Sequence, residues 1–234
     1  MIVFFSGNGN SATIARRLKE RRADDGDALG FVFPVYGWRP PRILMKWLAA
    51  HRAELPKATY VWAVMTCGDD AGYCDRALER ALGRRLDAAW TVRMPDTYLA
   101  LPGFRLDAPG EAKAKTAAAE RAVDEIAAAL RARAHVRKVR RGIFPWVKTA
   151  LVGRFFDRFL VSRRFVRIDA AKYSKCGLCA QNCPCGWTDC TGCQRCYHNC
   201  PADALEYGRF TKGKGRLKSG AKGGIIYLTS SQPK

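Results

Sequence analysis

The sequence predicts an α/β protein built on an open parallel sheet, followed by a small and separate cysteine-rich module. Short apolar runs alternate with helical stretches through the first half of the chain, which is typical of a sheet covered by helices on both faces. The apolar runs are nearly continuous, as expected for strands that are buried on both sides. Eight of the ten cysteines fall between Cys176 and Cys200, and this density marks the module.

Four strand-like runs and four helical stretches make up the predicted α/β domain, residues 1–135. The runs are IVFF, FVFPV, YVWAVMT and AAWTVRM. The helical stretches are ATIARRLKERR, RILMKWLAAHRAEL, DRALERALGRRL and EAKAKTAAAERAVDEIAAALRAR. The second carries an apolar face, and the last is rich in alanine, the strongest helix former. This alternation predicts parallel strands joined by helical crossovers.

The remainder of the chain divides into a linker, the cysteine module and a tail. Residues 136–170 predict a basic amphipathic linker whose apolar stripe packs against the α/β domain, and a position on a membrane surface is the alternative. Residues 171–208 form the cysteine module. Residues 209–234 form a basic tail rich in glycine and lysine, in which IIYLT predicts a last short strand and the rest a flexible segment.

The chain carries a net charge of +20, from 41 Lys and Arg against 21 Asp and Glu. Such a surface attracts acidic partners, namely nucleic acid, an anionic membrane or an acidic redox protein, although a solvated face that serves solubility accounts for it equally well. No nucleic-acid fold signature accompanies the charge, so we expect no specific nucleic-acid partner. The favoured partner is a redox protein, with peripheral contact to a membrane as a further possibility.

The N-terminus lacks the basic region and the long apolar run of a signal peptide. No window reaches the roughly 18 apolar residues of a transmembrane helix. We therefore expect a cytoplasmic protein without a transmembrane segment. In a reducing compartment, clustered cysteines indicate metal or redox chemistry rather than disulfides.

The segment CTGCQRCYHNCP, which ends at Pro201, has the C-x2-C-x2-C-x3-C-P spacing of bacterial ferredoxins. In that pattern three closely spaced cysteines ligate one cluster, and the fourth ligates its neighbour. A four-cysteine zinc site is the alternative, but such sites usually pair two knuckles across a longer gap. The spacing favours a 4Fe–4S cluster.

A partial copy of the motif, CGLCAQNCP, lies upstream, with Tyr173 where a first cysteine is expected. Crossed pairing of the two copies assigns one cluster to Cys190, Cys193, Cys196 and Cys183. The second cluster would use Cys176, Cys179 and Cys200, with Cys185 as the spare ligand. We expect two 4Fe–4S clusters, and a 3Fe–4S cluster or an empty site is the alternative for the second.

The loop SGNGNS joins the first strand to the first helix, where backbone amides and a helix N-terminus can hold a phosphate. A capped turn is the alternative reading of this loop. The loops YGW and TCGDD follow the second and third strands and should lie at the same edge, because ligands bind beyond the carboxyl ends of parallel strands. Aromatic rings of the first could stack on a flavin, while Cys67 and Cys74 are expected to be inert thiols.

In this order, MIVFFSGNGNS, GFVFPVYGW, VMTCGDDAG, VRMPDTY and the two cysteine motifs resemble the flavodoxin–ferredoxin fusion proteins called EFR-type ferredoxins. The resemblance runs over nearly the whole chain to about Leu205. It implies a flavodoxin-like domain, a bacterial-ferredoxin-like iron–sulfur domain and an electron-transfer role. By position it also implies an FMN site, with a phosphate loop of Ser6, Asn8, Gly9, Asn10 and Ser11 and ring-contacting loops of Tyr36, Trp38, Thr66, Cys67 and Gly68.

The chain departs from the family pattern in three places. Asn8 stands where the phosphate loop usually has threonine. The edge strand and helix expected between the first helix and FVFPV are missing, which leaves a sheet of about four strands. The cysteine module lacks one cysteine and has a short middle loop.

Electron transfer among clusters, flavin and a partner is the function that these features predict. One alternative is a flavin-dependent reductase fed by the clusters, and another is an iron–sulfur regulatory or nucleic-acid-binding protein. The three histidines, His51, His135 and His198, lie far apart in the sequence, and no acid–base or nucleophile constellation is predicted. The sequence therefore leaves open whether the protein is an enzyme.

Overall fold

A computed structural model describes residues 1–21, 27–187, 189–217 and 224–228, the last range by its backbone alone. In these ranges the strands are β1 (Ile2–Ser6), β2 (Ala28–Pro34), β3 (Tyr60–Cys67), β4 (Ala88–Arg93), β5 (Arg137–Lys138), β6 (Val166–Ile168), β7 (Leu205–Tyr207) and β8 (Gly224–Leu228). Six of them form one sheet in the order β5-β4-β3-β2-β1-β8. Strands β1 to β5 are parallel, and β8 runs antiparallel to β1.

Helices cover both faces of this sheet, and they are α1 (Asn10–Arg21), α2 (Arg42–His51), α3 (Cys74–Leu82) and α4 (Pro109–Arg131). Successive side chains of a strand point to opposite faces. Ile2 and Phe4 accordingly share a core with residues of α1 and α4, whereas Val3 and Phe5 share a core with residues of α2 and α3. The predicted open parallel α/β sheet with two covered faces is confirmed.

Each predicted strand and helix of the α/β domain is present, with several shifted boundaries, and helix α3, for example, ends at Leu82 rather than at Leu86. Strand β2 begins at Ala28 rather than Phe31, because Ala28 and Leu29 already pair with β3 and are buried. Helix α2 ends at His51 and not at residue 55. A tight turn at Arg52–Glu54 follows it, and the backbone becomes extended before Pro56, as proline requires of its predecessor.

The two edges of the sheet differ from the expected four-strand arrangement. No strand of the described ranges lies between α1 and β2, and β2 pairs directly with β1, as the missing edge strand predicts. Strand β8, which was predicted from IIYLT, pairs instead with the free edge of β1. Strand β5 was not predicted, because its two residues are exposed and basic. The parts of the tail at 218–223 and 229–234 lie outside the described residues.

Gly30 of β2 provides room for the large indole of Trp62 on β3. A Cβ atom built on Gly30 would lie 2.1 Å from a ring carbon of Trp62, far inside van der Waals contact. The indole is fully buried in the core shared with α1 and α4. Any larger residue at this position would displace it, which explains a glycine in the middle of a strand.

After β5 the chain forms a helical stretch and then the cysteine module. The helical pieces Pro145–Val147, Lys148–Val152, Gly153–Phe155 and Phe156–Leu160 follow one another directly, and the second and fourth are π-helical. Strands β6 and β7 then pair antiparallel, and between them lie two short helices, Leu178–Gln181 and Arg195–His198. Among the residues described, no helix is both long enough and apolar enough to cross a membrane.

Candidate functional site

A cavity of about 370 Å³ opens at the carboxyl edge of the parallel sheet, within the usual size range of ligand sites. Loops that follow β1, β2, β3 and β4 line it. Nine of the ten residues predicted for the flavin site line this cavity, namely Ser6, Asn8, Asn10, Ser11, Tyr36, Trp38, Thr66, Cys67 and Gly68. The tenth, Gly9, belongs to the same loop as the first four and has a φ of 100°.

Hydrogen bonds within the SGNGNS loop fix its shape. The Ser6 hydroxyl accepts from the Gly9 amide at 3.1 Å, and the Asn10 side chain donates to the Pro95 carbonyl at 2.9 Å. The Ser11 and Thr66 hydroxyl oxygens are 2.7 Å apart and tie the loop to the end of β3. These side chains therefore shape the loop, and the amides that begin α1 are the donors for an anion. No acidic residue stands in the first turn of α1 to oppose one.

Asn8 is buried and joins the loop to the cysteine module. Its Nδ2 donates to the Cys193 carbonyl at 2.7 Å. Its Oδ1 has no hydrogen-bond partner among the described residues. A buried acceptor without a partner is rare, and this one belongs to a residue that lines the cavity. The site thus offers one unused acceptor to a ligand donor.

Aromatic side chains line the cavity beyond those predicted. Tyr98 follows β4, packs edge-on against Phe104 and Phe156, and has its pKa raised to about 12 by burial. The loop after β4 belongs to the same sheet edge, so Tyr98 was within reach of the sequence argument. Phe156 and Lys148 come from the helical stretch far along the chain. No local sequence pattern predicts that these two residues line the cavity.

The cavity also has an acidic side, which lysines neutralise in part. Lys148 Nζ lies 2.6 Å from Asp70 Oδ2, and Lys115 Nζ lies 3.0 Å from Asp96 Oδ2. Burial, together with the neighbouring aspartates, raises the pKa of Cys67 to about 12. This thiol stays protonated at neutral pH, which agrees with the inert role expected for it.

The cysteines of the module fall into two groups. Cys183, Cys185, Cys190 and Cys193 line one small cavity together with Cys196. Cys179 belongs to the other group, because it packs against the buried cluster that contains Cys200. Burial raises the pKa of Cys179, and the charges of Cys176 and Cys200 raise it further. Apart from Cys185, this grouping is the one that crossed pairing requires, and ligation itself stays a prediction. Cys185 lies beside Cys183 and not beside the second group, for which it was the spare ligand.

Buried donors surround the first cysteine group. The Thr191 hydroxyl and the Gln194 Nε2 are buried without partners among the described residues, and both residues line the cysteine cavity. The Gly192 amide donates to Cys190 Sγ at 3.4 Å, and in the second group the Ala204 amide donates to Cys200 Sγ at 3.3 Å. Unused donors around thiols suit an anionic sulfur cluster, whose potential such hydrogen bonds tune.

Arg195 is a buried cation that contacts both cysteine groups and the glycine loop. It lines the first cysteine cavity and also a small pocket beside Cys179. Its guanidinium donates to the Asn182 carbonyl at 3.1 Å and to the Gly7 carbonyl at 2.8 Å. Burial lowers its pKa, while Cys193 and Cys183 oppose that shift as nearby anions would. A positive charge is thus held where the cysteine side chains of the module gather.

No group of three or more Cys, His, Asp or Glu side chains in the described ranges is arranged to hold a metal ion. A mononuclear zinc site would need four thiolates converging on one atom at about 2.3 Å. In a cubane cluster each thiolate ligates a different iron, so the ligands surround a larger volume.

The cysteine module and the flavin-type loop are in direct contact. A Cβ atom built on Gly7 would lie 2.7 Å from Cys193 Cβ and 2.5 Å from the Tyr36 hydroxyl oxygen. Gln194 and His198 add further links, because Gln194 Oε1 accepts from the Leu99 amide at 2.9 Å and His198 Nε2 lies 2.7 Å from the Thr97 carbonyl oxygen. The two predicted cofactor sites therefore adjoin.

Replacement of Gly7 tests this contact. We expect Gly7→Ala to destabilise the protein by about 1–3 kcal/mol, because the added methyl group must displace Cys193 or Tyr36. Thermal unfolding monitored by circular dichroism measures the effect. The matched control is Gly110→Ala, where an added Cβ meets nothing within 4 Å. Equal stability of the two variants would show that the loop and the module do not touch.

Fold and site together define an α/β protein of the flavodoxin-like class, with a cysteine module set against its ligand edge. Comparison of the chain with protein-family models, with curated proteins and with solved structures gives no match. The function is therefore argued from the residues of the site.

Proposed function

We propose that this chain is an electron-transfer protein of the EFR-type flavodoxin–ferredoxin family, with 4Fe–4S clusters in its cysteine module and FMN in the cavity at the sheet edge. One observation carries the proposal. Cys193, a predicted cluster ligand, packs on Gly7 of the predicted phosphate loop. Electrons pass efficiently only between neighbouring cofactors, and this contact makes the two sites neighbours.

The first cysteine group supports a 4Fe–4S cluster held by Cys190, Cys193, Cys196 and Cys183. Thiolates are soft ligands that suit iron–sulfur clusters. The buried Thr191 and Gln194 donors and the Arg195 cation would stabilise the negative charge of the cluster. Burial raises the pKa of Cys193 to about 12, so iron must displace a proton there, and cluster binding releases protons.

The second cysteine group supplies three thiols, Cys176, Cys179 and Cys200. With Cys185 beside Cys183, no cysteine is left for a fourth iron. Three thiols support a 3Fe–4S cluster, or a 4Fe–4S cluster with one iron left open to another ligand. This site is also the more accessible of the two, since Cys176 is exposed.

The cavity supports FMN by the kind of group on each wall. The N-terminus of α1 would hold the phosphate, and Tyr36, Trp38 and Tyr98 would enclose the ring. The loop from Thr66 to Gly68 would face the polar edge of the ring. When bound, FMN converts two-electron chemistry into single-electron steps, which iron–sulfur clusters can carry.

Anaerobic purification followed by iron, sulfide and flavin analysis tests the proposal. We expect iron and acid-labile sulfide in similar amounts, above the roughly four irons of one cluster. A colourless protein, or one that holds only zinc, would end the redox interpretation.

A tryptophan variant tests the flavin arm separately. Trp38→Leu should weaken FMN binding by about three- to tenfold, the scale of one aromatic stacking contact, in a titration followed by flavin fluorescence. Trp47→Leu is the control, because Trp47 stacks on His51 away from the cavity. If FMN binds neither variant nor the wild type after reconstitution, the first domain is a scaffold for the clusters.

A further inference from the structure

The helical stretch after β5 carries large apolar side chains that point into solvent. We define the amphipathic segment as residues 143–160. Ile143 and Phe144 are each 74% exposed, and Trp146 is 60% exposed. Val147, Leu151, Val152, Phe155 and Phe159 continue the apolar surface. Soluble proteins rarely expose a contiguous apolar patch of this kind unless it binds something.

The inward face of the segment packs on the α/β domain, as the sequence predicts. Thr149 is buried and accepts from the Tyr73 amide at 2.9 Å. Gly153 lies against the Gly37 carbonyl, where an added Cβ would be 2.3 Å from the oxygen. Asp157 forms an ion pair with Arg39 at 2.9 Å. These contacts fix the orientation of the segment, so the outward face is a stable surface.

The outward face has helical spacing. Phe144, Val147, Leu151, Phe155 and Phe159 recur every three or four residues, which places them along one side of the helix. The sequence predicts that the apolar stripe of this linker packs against the α/β domain, and only part of the stripe does so. Its second half is exposed.

Basic residues flank this exposed stripe. Arg154 and Arg158 lie on the helix itself, and Arg163 and Arg164 follow it. In the part of the chain that the structure describes, none of these four arginines has a carboxylate within ion-pair distance. Asp157 is the single acidic residue between positions 136 and 168, and Arg39 holds it. The surface is therefore apolar and cationic at once.

We propose that the outward face of the amphipathic segment docks on an anionic lipid bilayer, with the helix lying in the plane of the interface. Phenylalanine, leucine and tryptophan would enter the acyl boundary, while the arginines bind lipid phosphates. The net charge of +20 adds long-range attraction to the same surface.

Two other occupants fit the surface less well. A second copy of this chain would bring Arg154 and Arg158 of each copy against each other, which like-charge repulsion opposes. An acidic protein would satisfy the arginines, but the exposed side chains are aromatic and aliphatic over most of the stripe. A bilayer matches both the breadth of the apolar stripe and the charge along its flank.

Vesicle flotation with the full chain tests the proposal. Vesicles of phosphatidylcholine alone are compared with vesicles of phosphatidylcholine and phosphatidylglycerol. We expect the protein to float with the anionic vesicles, to bind less as salt rises, and to show a blue-shifted emission that Trp146→Phe reduces. The double variant Arg154→Gln/Arg158→Gln should lower the partition coefficient by about 30-fold.

An apolar variant and its control separate the stripe from general charge. Leu151→Gln/Phe155→Gln should abolish flotation while the circular dichroism spectrum stays that of the wild type, because both side chains are solvent-exposed. Phe210→Gln, at an exposed phenylalanine outside the segment, should bind like the wild type.

Three outcomes would overturn the proposal. The first is failure to float with anionic vesicles at low salt. The second is equal binding by the wild type and the Leu151→Gln/Phe155→Gln variant, which would assign binding to charge elsewhere. The third is a dimer in solution that this double variant converts to a monomer, which would assign the face to a second copy. None of these results depends on whether clusters or FMN are bound.

Discussion

Cys193→Ser should remove about half of the iron and sulfide from the anaerobically purified protein and most of the visible absorption of the first cluster. Serine is a poor ligand for these irons, because they prefer a soft thiolate to a hydroxyl oxygen. Iron analysis and electron paramagnetic resonance of the reduced protein measure the loss.

Two further cysteine variants sharpen this test. Cys183→Ser should lose the first cluster. Cys185→Ser, two residues further along the chain and next to Cys183 in space, should retain it. Cys74→Ala is the control, since Cys74 is buried in the sheet core and outside both cysteine groups. Full iron in Cys193→Ser, or equal losses in Cys183→Ser and Cys74→Ala, would contradict the ligand assignment.

Asp75→Asn should lower the free energy of unfolding by about 2–4 kcal/mol, and the Tm by about 5–15 °C. Asp75 is fully buried at the start of α3, where Arg137 contacts Oδ2 at 2.5 Å and Arg141 donates to both carboxylate oxygens. The amide would leave two guanidiniums facing a neutral group. The arginines are partly exposed, so the loss falls below that of a fully buried pair.

The Asp75 contribution should depend on pH in a defined direction. Burial alone would raise the pKa of Asp75, but the hydrogen bonds and charges of Arg141 and Arg137 outweigh it, and the pKa is lowered from 3.8. The stabilisation is therefore complete well above pH 3.8 and is lost as pH falls through the lower folded-state value. Wild type and Asp75→Asn should differ in Tm at pH 7 and converge in acid.

Asp69→Asn is the matched control for Asp75→Asn. Asp69 also pairs with an arginine, Arg140 at 3.6 Å, but its side chain is 79% exposed. Surface pairs of this kind contribute little, so we expect almost no change in Tm. Similar losses in both variants would mean that Asp75 does not hold β5 and the following segment to α3.

The parallel sheet was predictable because each strand is a short run of nearly uniform apolar residues. Strands β1 to β4 all carry such runs, and helices α1 to α4 were predicted from the helical stretches between them. The convergence of the loops after β1, β2 and β3 followed from strand direction alone. Strand β5 was missed because Arg137 and Lys138 have no apolar periodicity, and pairing with β4 supplies their order.

The composition of the cavity wall was only partly predictable. Tyr98 follows a predicted strand and could have been included, whereas Lys148 and Phe156 reach the cavity from a segment that no local rule aligns with it. The Gly7–Cys193 contact joins residues far apart in sequence. Cysteine spacing predicts how the thiols of the module group together, except for Cys185, but it does not determine which surface the group will cover.

The pairing of β8 with β1 has a mechanical consequence for the whole molecule. The chain leaves the sheet after one border strand, β5, and the opposite border strand is β8, so the cysteine module lies between two segments that the sheet anchors. Five strand spacings, roughly 24 Å in total, separate these two border strands. A region anchored at both ends cannot rotate away from the sheet, as a domain joined by a single linker can. If the module and the cavity hold the proposed clusters and FMN, electrons would pass between them at a fixed separation, which only fraying of a border strand would lengthen.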